Sequence, residues 1–593
     1  MPPLDEIAEK DRREERSDYM PGGIPSDPKR LLSYALELIG ICRASAGVRA
    51  AYCRQLYALS ETGKQDGTRS LINMLFSQLD RLASHLFSPI DLRFTMSSEN
   101  EYPQDILKQA QKAAKLLTRD WENSNTDILF SLGVFESLRY GACLLKQWAQ
   151  QEGSSKHPAY YSSLVMPWQF GVFREDQNDL SRQPAMVETV YLSLPEVWRR
   201  IYHLPDADKL YTRIKENAQR GSDGDDTTSF FHQVLSTATL NTSGTQGGRP
   251  MPGGVVNLVN DPSYALIGPQ IEAELIKMHE LWVWGETDYV TIQVIEPDII
   301  VSPRFGFKPS NILVEGCNPY TLIQPNMTQG YFWGRSELVD LIRPQEWLSI
   351  SAEDAQRLIG LQVDKLVAFA GYDGLTDELY DQTRAAGYFA MPPGASATDM
   401  TPKFPDQLLP IINMIMEIID RMGGFDNLLS GRGEPGVRAG VHADTLLKTA
   451  SPRLRDRALL LERQCASAGG LRFSIMQAKD GKKYWTDGTT QEAIEKTSFT
   501  LHDVPDDMTV AVDSHSGSPI FMDDHQQLIA FGIKSGFIDG ESALEMLPYP
   551  EKELLIQRFK MKQAEQAAML RQLAEKDPQG FEKLLTHQKG GHK

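Results

Sequence analysis

Residues 318–359 read NPYTLIQPNMTQGYFWGRSELVDLIRPQEWLSISAEDAQRLI. A proline-marked, extended run reaches Gly334 and turns directly into a helical pattern. Leu338, Leu341, Ile342, Trp347, Leu348, Ala352, Ala355, Leu358 and Ile359 recur at helical spacing. Pro344 either kinks this helix or opens its second part. A second apolar helix, PDQLLPIINMIMEIIDRM at about 405–422, ends at Gly423-Gly424. Between the two lie strand-like pieces at 365–371 and 387–394 that flank a short helical piece near 375–385. The expected object is a helical hairpin with a small module at its tip. Beyond it, SGRGEPGVRAG (430–440) is a glycine- and arginine-rich turn, whose glycines permit unusual backbone angles.

Working outward, residues 1–30 are rich in charge and then in Pro and Gly, the composition of a mobile arm. Four helical patterns follow: about 31–62, about 68–88, one from near Pro103, and TDILFSLGVFESLRYGACLLKQWAQ. The last starts at a Thr126/Asp127 cap signal and runs to about 150. From about 158 the character turns to strands, in YYSSLVMPWQFGVF and AMVETVYLSL, with a short helix at about 195–203. Residues 217–254 have loop chemistry. Strands return from about 276 to 324, where Tyr289–Ile295 alternates as a half-buried strand. Downstream come a long helix at about 440–478, a strand in MTVAVDS at 508–514, and a helical C-terminus from about 520. The fold class is α+β.

With 593 residues the chain suggests about three to five folding units. Its 61 Lys+Arg against 79 Asp+Glu leave a net charge of −18. Such a chain is poorly suited to tight, sequence-independent wrapping of DNA, which does not exclude a protein that must let DNA slide past without sticking. The five cysteines, Cys42, Cys53, Cys143, Cys317 and Cys465, form no C-x-x-C, so neither a disulfide framework nor a zinc ribbon is expected. The N-terminus lacks the apolar segment of a secretory signal, and no run of about 18 apolar residues predicts a membrane span.

Signatures of a P-loop, a zincin, a nucleophile elbow and a kinase are all missing. His515 and His525 around Asp523-Asp524 read as a polar helix start rather than a metal site. Asp223, Asp225 and Asp226 read as a solvated loop without EF-hand spacing. Trp282, Trp284, Tyr320, Tyr331, Phe332 and Trp333 could form a base-stacking platform, but strand-core packing is the expected role. No catalytic residue, metal or cofactor is expected.

In order, these features resemble the tailed-bacteriophage portal protein (head-to-tail connector) family. The similar parts are the approach segment ending in Gly334 to Ser336 before a long helix, the tip section AAGYFAMPPGASATDMTPKF, and the glycine-marked loop. AGVHADTLLKTASPRLRDRALLLERQ and DMTVAVDSHSGSP complete the order. The resemblance covers most of residues 30–575 and rests on element order, not on a catalytic motif. It implies a flexible arm (1–30), a helical then β-rich wing (31–334, completed by 441–515), stem helices at 335–362 and 405–424, and a small α/β clip at 363–404. A tunnel loop (425–440) and a helical crown with its tail (516–593) finish the subunit.

The resemblance also implies a closed ring, typically of twelve copies, at one capsid vertex of the virion, assembled in the host cytoplasm. The ring would be a channel for packaging and ejecting double-stranded DNA, without sequence specificity or catalysis of its own. Its partners would be the terminase motor, capsid and scaffold proteins, and head-completion or tail adaptor proteins, with no membrane. Arg432, Glu434, Arg438 and His442 become tunnel-loop candidates for DNA contact. Tyr372, Asp373, Asp377, Glu378, Tyr388 and Phe389 become clip candidates for partner binding. Leu338, Leu341, Ile342, Ile411, Ile412, Ile415, Ile418 and Ile419 become candidates for stem packing and oligomerisation, because IINMIMEII is apolar almost all round. A helix buried inside one large domain is the competing explanation. Residues 335–424 carry seven Lys/Arg and fourteen Asp/Glu, a balance of −7 per subunit, and such a wall would repel phosphates and centre a duplex. The alternatives are a metal-dependent nucleic-acid enzyme and another virion tail or adaptor protein.

Overall fold

The computed structural model describes residues 19–20, 23–25, 27–64, 70–89, 92–151, 158–202, 206–221, 276–285, 289–295, 299–300, 318–363, 367–370, 393–394, 396–400, 402–423, 452–485, 498–512 and 531–535. The chain is α+β. A short hairpin, β1 (Tyr19–Met20) and β2 (Ile24–Pro25), precedes α1 (Pro28–Cys42) and α2 (Ala46–Thr62). Asp27 caps α1 by accepting from the Arg30 amide at 3.1 Å. Next come α3 (Leu75–Leu86), β3 (Phe94–Ser97), α4 (Gln104–Asn123), α5 (Thr126–Tyr140), β4 (Cys143–Gln151), β5 (Pro158–Val165), β6 (Phe170–Val172) and β7 (Ala185–Leu192). They are followed by α6 (Leu194–Ile201), α7 (Ala207–Gly221), β8 (Ile276–Trp284), β9 (Tyr289–Ile295), β10 (Ile299–Ile300) and β11 (Tyr320–Ile323). The last group is α8 (Ile342–Val363), β12 (Val367–Ala370), β13 (Ser396–Asp399), α9 (Leu408–Met422), α10 (Pro452–Lys479), β14 (Tyr484–Trp485), β15 (Ser498–Phe499) and β16 (Thr509–Val512).

Two antiparallel sheets organise the β-rich part. One has the order β10-β9-β8-β7-β6, the other β11-β4-β5. Val165, Phe170, Trp282, Tyr289 and Tyr320 of the two sheets share one apolar core with Phe332 and Trp333 of the segment after β11 and with Ile475 of α10. α1 covers the opposite face of the larger sheet, with Leu31, Ala35 and Ile39 against Val187, Leu281 and Val294. The largest core joins α2 to α5, α10, the start of α8 and the buried stripe of α9.

Several local readings need correction. Residues 19–30 are not a free arm, because Ile24 is fully buried under α1. The stretch 29–62 is apolar and long enough to pass for a membrane span by composition. It breaks at Arg43–Ser45, however, and its Arg49 is buried in an ion pair with Glu175. The pattern from Thr126 to about 150 is a helix followed by a strand. Gly141, at φ +103°, stops α5, and CLLKQWAQQ then pairs with both β5 and β11. Loop chemistry from 217 begins inside α7, which docks through Ile214 and a Trp198–Tyr211 ring contact at 5.2 Å. The expected strand at 387–394 lies mostly outside the described residues, as do the short helix near 375–385, the start of the long helix at 440, and most of the C-terminal helical set. β12 pairs instead with β13, through Val367↔Asp399 and Ala370↔Ser396.

Candidate functional site: the helix pair and its root

α8 and α9 pack on each other, with β12 and β13 between them in sequence. The approach to α8 is a locked turn. Gly334 takes φ +63°, and a Cβ there would meet the Gln324 amide and the Asn326 carbonyl. Gln324 donates to the Phe332 carbonyl at 2.8 Å, and the Arg335 amide donates to Asn326 at 3.1 Å. Ser336 accepts from the Leu338 amide at 3.1 Å, opening a 3-10 turn over Glu337–Asp340, and donates to the Arg139 carbonyl at 2.5 Å. Pro344 therefore sits in the first turn of α8, where its missing N–H costs nothing, and does not kink the helix. Glu337, nearly buried, takes Arg457 of α10 at 2.9 Å and Asn326 at 2.9 Å.

A second clamp holds the same turn from the other side. The Arg49 guanidinium lies 3.9 Å from the Trp333 ring centroid. It donates to the carbonyls of Pro167 and Phe170, both at 2.8 Å, and pairs with Glu175 at 2.7 Å. Glu175 also accepts from Trp333 Nε1 at 3.0 Å and from Ser45. Burial works against the charge on Glu175. The hydrogen bonds from Ser45 and Trp333, together with Arg49, outweigh it and hold the carboxyl below its usual range.

Polar side chains fix both helices to the body. Gln345, fully buried, accepts from the Met74 amide at 3.2 Å and donates to the Ile72 carbonyl at 2.7 Å. Ser349 meets Ser70 at 2.8 Å, and Lys64 pairs with Glu353. On α9, Asp420 takes Gln78 and, at 3.6 Å, Arg81.

The apolar stripe of α9 belongs largely to the chain's own core. Leu338, Leu341, Ile412, Ile415 and Ile419 are buried there, and Ile342, Ile411 and Ile418 are half-buried. Seven of them, all but Ile418, lie in or against that core and seat the helix pair on its own body, and the five buried ones are not free to meet a neighbour. The exposed apolar side chains are others: Trp347 (50% exposed), Ile350 (58%), Ile359 and, on α9, Leu409 (57%) and Met414. Sequence reasoning missed them as a contact surface. On α8 the signal is that Trp347 and Ile350 are apolar outside the 341–348–352–355 stripe, whereas Ile359 continues that stripe and is exposed all the same.

The remaining candidates divide clearly. Arg432, Glu434, Arg438 and His442, and Tyr372, Asp373, Asp377, Glu378, Tyr388 and Phe389, lie outside the described residues, as do Asp223, Asp225, Asp226, His515, His525, Asp523 and Asp524. Trp282, Tyr320, Phe332 and Trp333 are buried in edge-on ring contacts, so they pack the sheets, while Trp284 and Tyr331 stay exposed. Among the described residues no group of three or more His, Cys, Asp or Glu is arranged to hold a metal ion.

No protein-family model matches the chain, and no curated protein matches it. Among solved structures it is similar to a chain of one described as "Neck of native GTA particle computed with C12 symmetry". The TM-score is 0.35 and the identity 11%, over 80% of this chain and 90% of that chain. So distant a likeness carries no argument about function, which has to rest on the chain's own geometry.

One further polar cluster joins the two sheets. Lys146 of β4 reaches Glu188 of β7 at 2.5 Å and Glu280 of β8 at 2.8 Å, and Tyr320 donates to Glu188 at 2.6 Å. Burial alone would lower the Lys146 pKa, but the carboxylates of Glu280 and Glu188 prevail and raise it.

Proposed function

We propose that this chain is a portal-type ring subunit of a tailed phage particle. The ring would sit at a capsid vertex, pass double-stranded DNA through its centre, and dock the packaging motor and then neck or tail proteins. It would have no catalysis of its own. The observation that carries this reading is the helix pair itself. An extended approach locked by Gly334 leads into α8, a small strand module lies between α8 and α9, and α9 packs back on α8, with the root clamped by buried polar groups. A rigid lever of this kind suits a ring whose subunits contact each other head to tail. The 7 − 14 = −7 balance over residues 335–424 suits a wall that repels phosphate. In this reading α8 and α9 are the stem, 363–404 the clip, 425–440 the tunnel loop, and the two-sheet body the wing.

The native mass of the full chain tests it. Twelve copies of 66.5 kDa come to 798 kDa, so particles near that mass with a central hole are the expected result. A compact monomer or dimer that cuts plasmid DNA with added divalent metal would replace this reading with the nuclease. The exposed side chains of α8 sharpen the test. The double variant Trp347→Glu and Ile350→Glu should shift the population from rings to single subunits. Thermal stability of the subunit should fall far less than ring formation, because half or more of each side chain is already exposed. Rings that persist unchanged in this variant would remove α8 from the interface.

A further inference from the structure

One face of α4 is charged unlike the rest of this acidic chain. Lys108, Lys112, Lys115 and Arg119 follow one another at steps of four, three and four residues, which places all four on one helical stripe. Lys108, Lys115 and Arg119 are exposed and Lys112 is half-buried. Gln104 and Gln111, both exposed, complete the face, and Asp105 and Glu122 lie toward its two ends. Among the described residues Lys108, Lys112 and Arg119 form no ion pair, while Lys115 has an interaction of its own on the chain.

At the C-terminal end of this helix, buried Arg472 of α10 pairs with Asp120, the neighbour of Arg119, at 2.8 Å and so ties α4 to α10. The turn between α10 and β14 carries two more exposed cations, Lys482 and Lys483.

We infer that this band is a sequence-independent contact for the phosphate backbone of duplex DNA, on the body and separate from the helix pair. Four cations over the eleven steps from Lys108 to Arg119 span about 16 Å at about 1.5 Å per residue. That length of duplex presents about ten phosphate charges. The composition of the face decides between nucleic acid and protein. Protein interface cores are depleted in Lys and need apolar or aromatic anchors. This stripe offers cations and amides, with Asp105 and Glu122 toward its two ends and no apolar or aromatic anchor, and exposed Leu107 lies off it. Lys, Arg and amide side chains are the groups that hold phosphate oxygens. The inference does not require the ring.

The test is binding of the full chain to a short fluorescent duplex of random sequence, followed from about 50 to about 200 mM salt. The triple variant Lys108→Gln, Lys112→Gln and Arg119→Gln removes three contacts. It should flatten the slope of log affinity against log salt by about 2.7. Across that fourfold salt range the wild type then loses about 40-fold more affinity than the variant. Lys108→Arg with Lys112→Arg should retain wild-type binding, and circular dichroism of both variants reports that the fold is kept. Three results overturn the inference: a wild type that does not bind the duplex, a triple variant with the wild-type slope, or wild-type binding to polyglutamate as tight as to DNA, which would assign the band to an acidic protein. Loss of binding in Arg432→Gln with Arg438→Gln, but not in the triple variant, would move the contact to the 430–440 turn and equally overturn it.

Discussion

Lys146→Met lowers the stability of the two-sheet body by about 3–5 kcal/mol, the usual cost of removing one partner from a buried ion cluster. The side chains of Lys146, Glu188 and Glu280 are 14%, 9% and 7% exposed, so water cannot replace the lost ammonium. The change leaves two carboxylates directly opposite each other on the neighbouring strands β7 and β8, with Tyr320 of the other sheet donating to one of them. Methionine fills most of the volume, so the loss reports charge rather than a cavity. Denaturant unfolding of the full chain, followed by the fluorescence of the nearby Trp282, measures it. Lys146→Arg, which keeps the cation, should lose less. The pH dependence has a defined sign. The folded pKa of Lys146 is raised, so its contribution is complete below the unfolded lysine pKa near about 10.4 and disappears as pH rises through the higher folded value. Wild type and Lys146→Met should therefore differ by a constant amount from neutral pH to about 10 and converge only above that. Equal stability of the two proteins at neutral pH would mean that water or a rearranged side chain already neutralises Glu188 and Glu280.

Gly141→Val is the second large effect, and it acts on the root of the helix pair. Gly141 takes φ +103°, and a Cβ there would lie 2.6 Å from the Trp333 carbonyl oxygen. Backbone strain in a glycine-only region costs about 1–3 kcal/mol, and overpacking against a fixed backbone adds about 1–3 kcal/mol. A total of about 2–6 kcal/mol is expected from the denaturant midpoint. Trp333, Gly334 and Arg335 cannot retreat freely, because Arg49, Glu175 and Ser336 hold that turn from both sides. The variant should therefore also displace α8 and deplete any assembled particle. Gly330→Val is the comparison. It has φ +73° with nothing within 4 Å of the added carbon, so it carries only the backbone cost. If the two variants are equally destabilised, the close approach of α5 to the Trp333 turn plays no part.

Much of the helical framework is legible one residue at a time. Leu348, Ala352 and Ala355 mark the inward face of α8, Leu338 and Leu341 that of the turn before it, and all are buried. Tyr289–Ile295 alternates and is β9, and Gly334 stands at the one position of its turn where a side chain would strike Gln324 and Asn326. The reading fails where local pattern and long-range pairing disagree. CLLKQWAQQ has no alternation that separates it from the helix before it, and it becomes β4 because β5 and β11 offer it backbone partners on both edges. IINMIMEII suggests a helix in search of a neighbouring subunit. Instead Ile412, Ile415 and Ile419 are buried in the core that the same chain's α3, α8 and α10 share, and Trp347, Ile350, Ile359, Leu409 and Met414 are among the apolar groups left exposed.

The sequence by itself determined the α+β class, the position of the turn at Gly334, the apolar faces of α8 and α9, and the acidic balance of residues 335–424. All of these depend on neighbours within a few positions or on composition. Only the tertiary structure decided which of those faces are already covered, and which charges meet. Lys146 sits in the run Leu144-Leu145-Lys146, and its carboxylate partners lie at 188 and 280. Arg49 finds Glu175 and Trp333, and Arg457 finds Glu337, across comparable separations. Burial and ion pairing are set by the packing of distant segments, and no periodicity within a single segment encodes the identity of its partner.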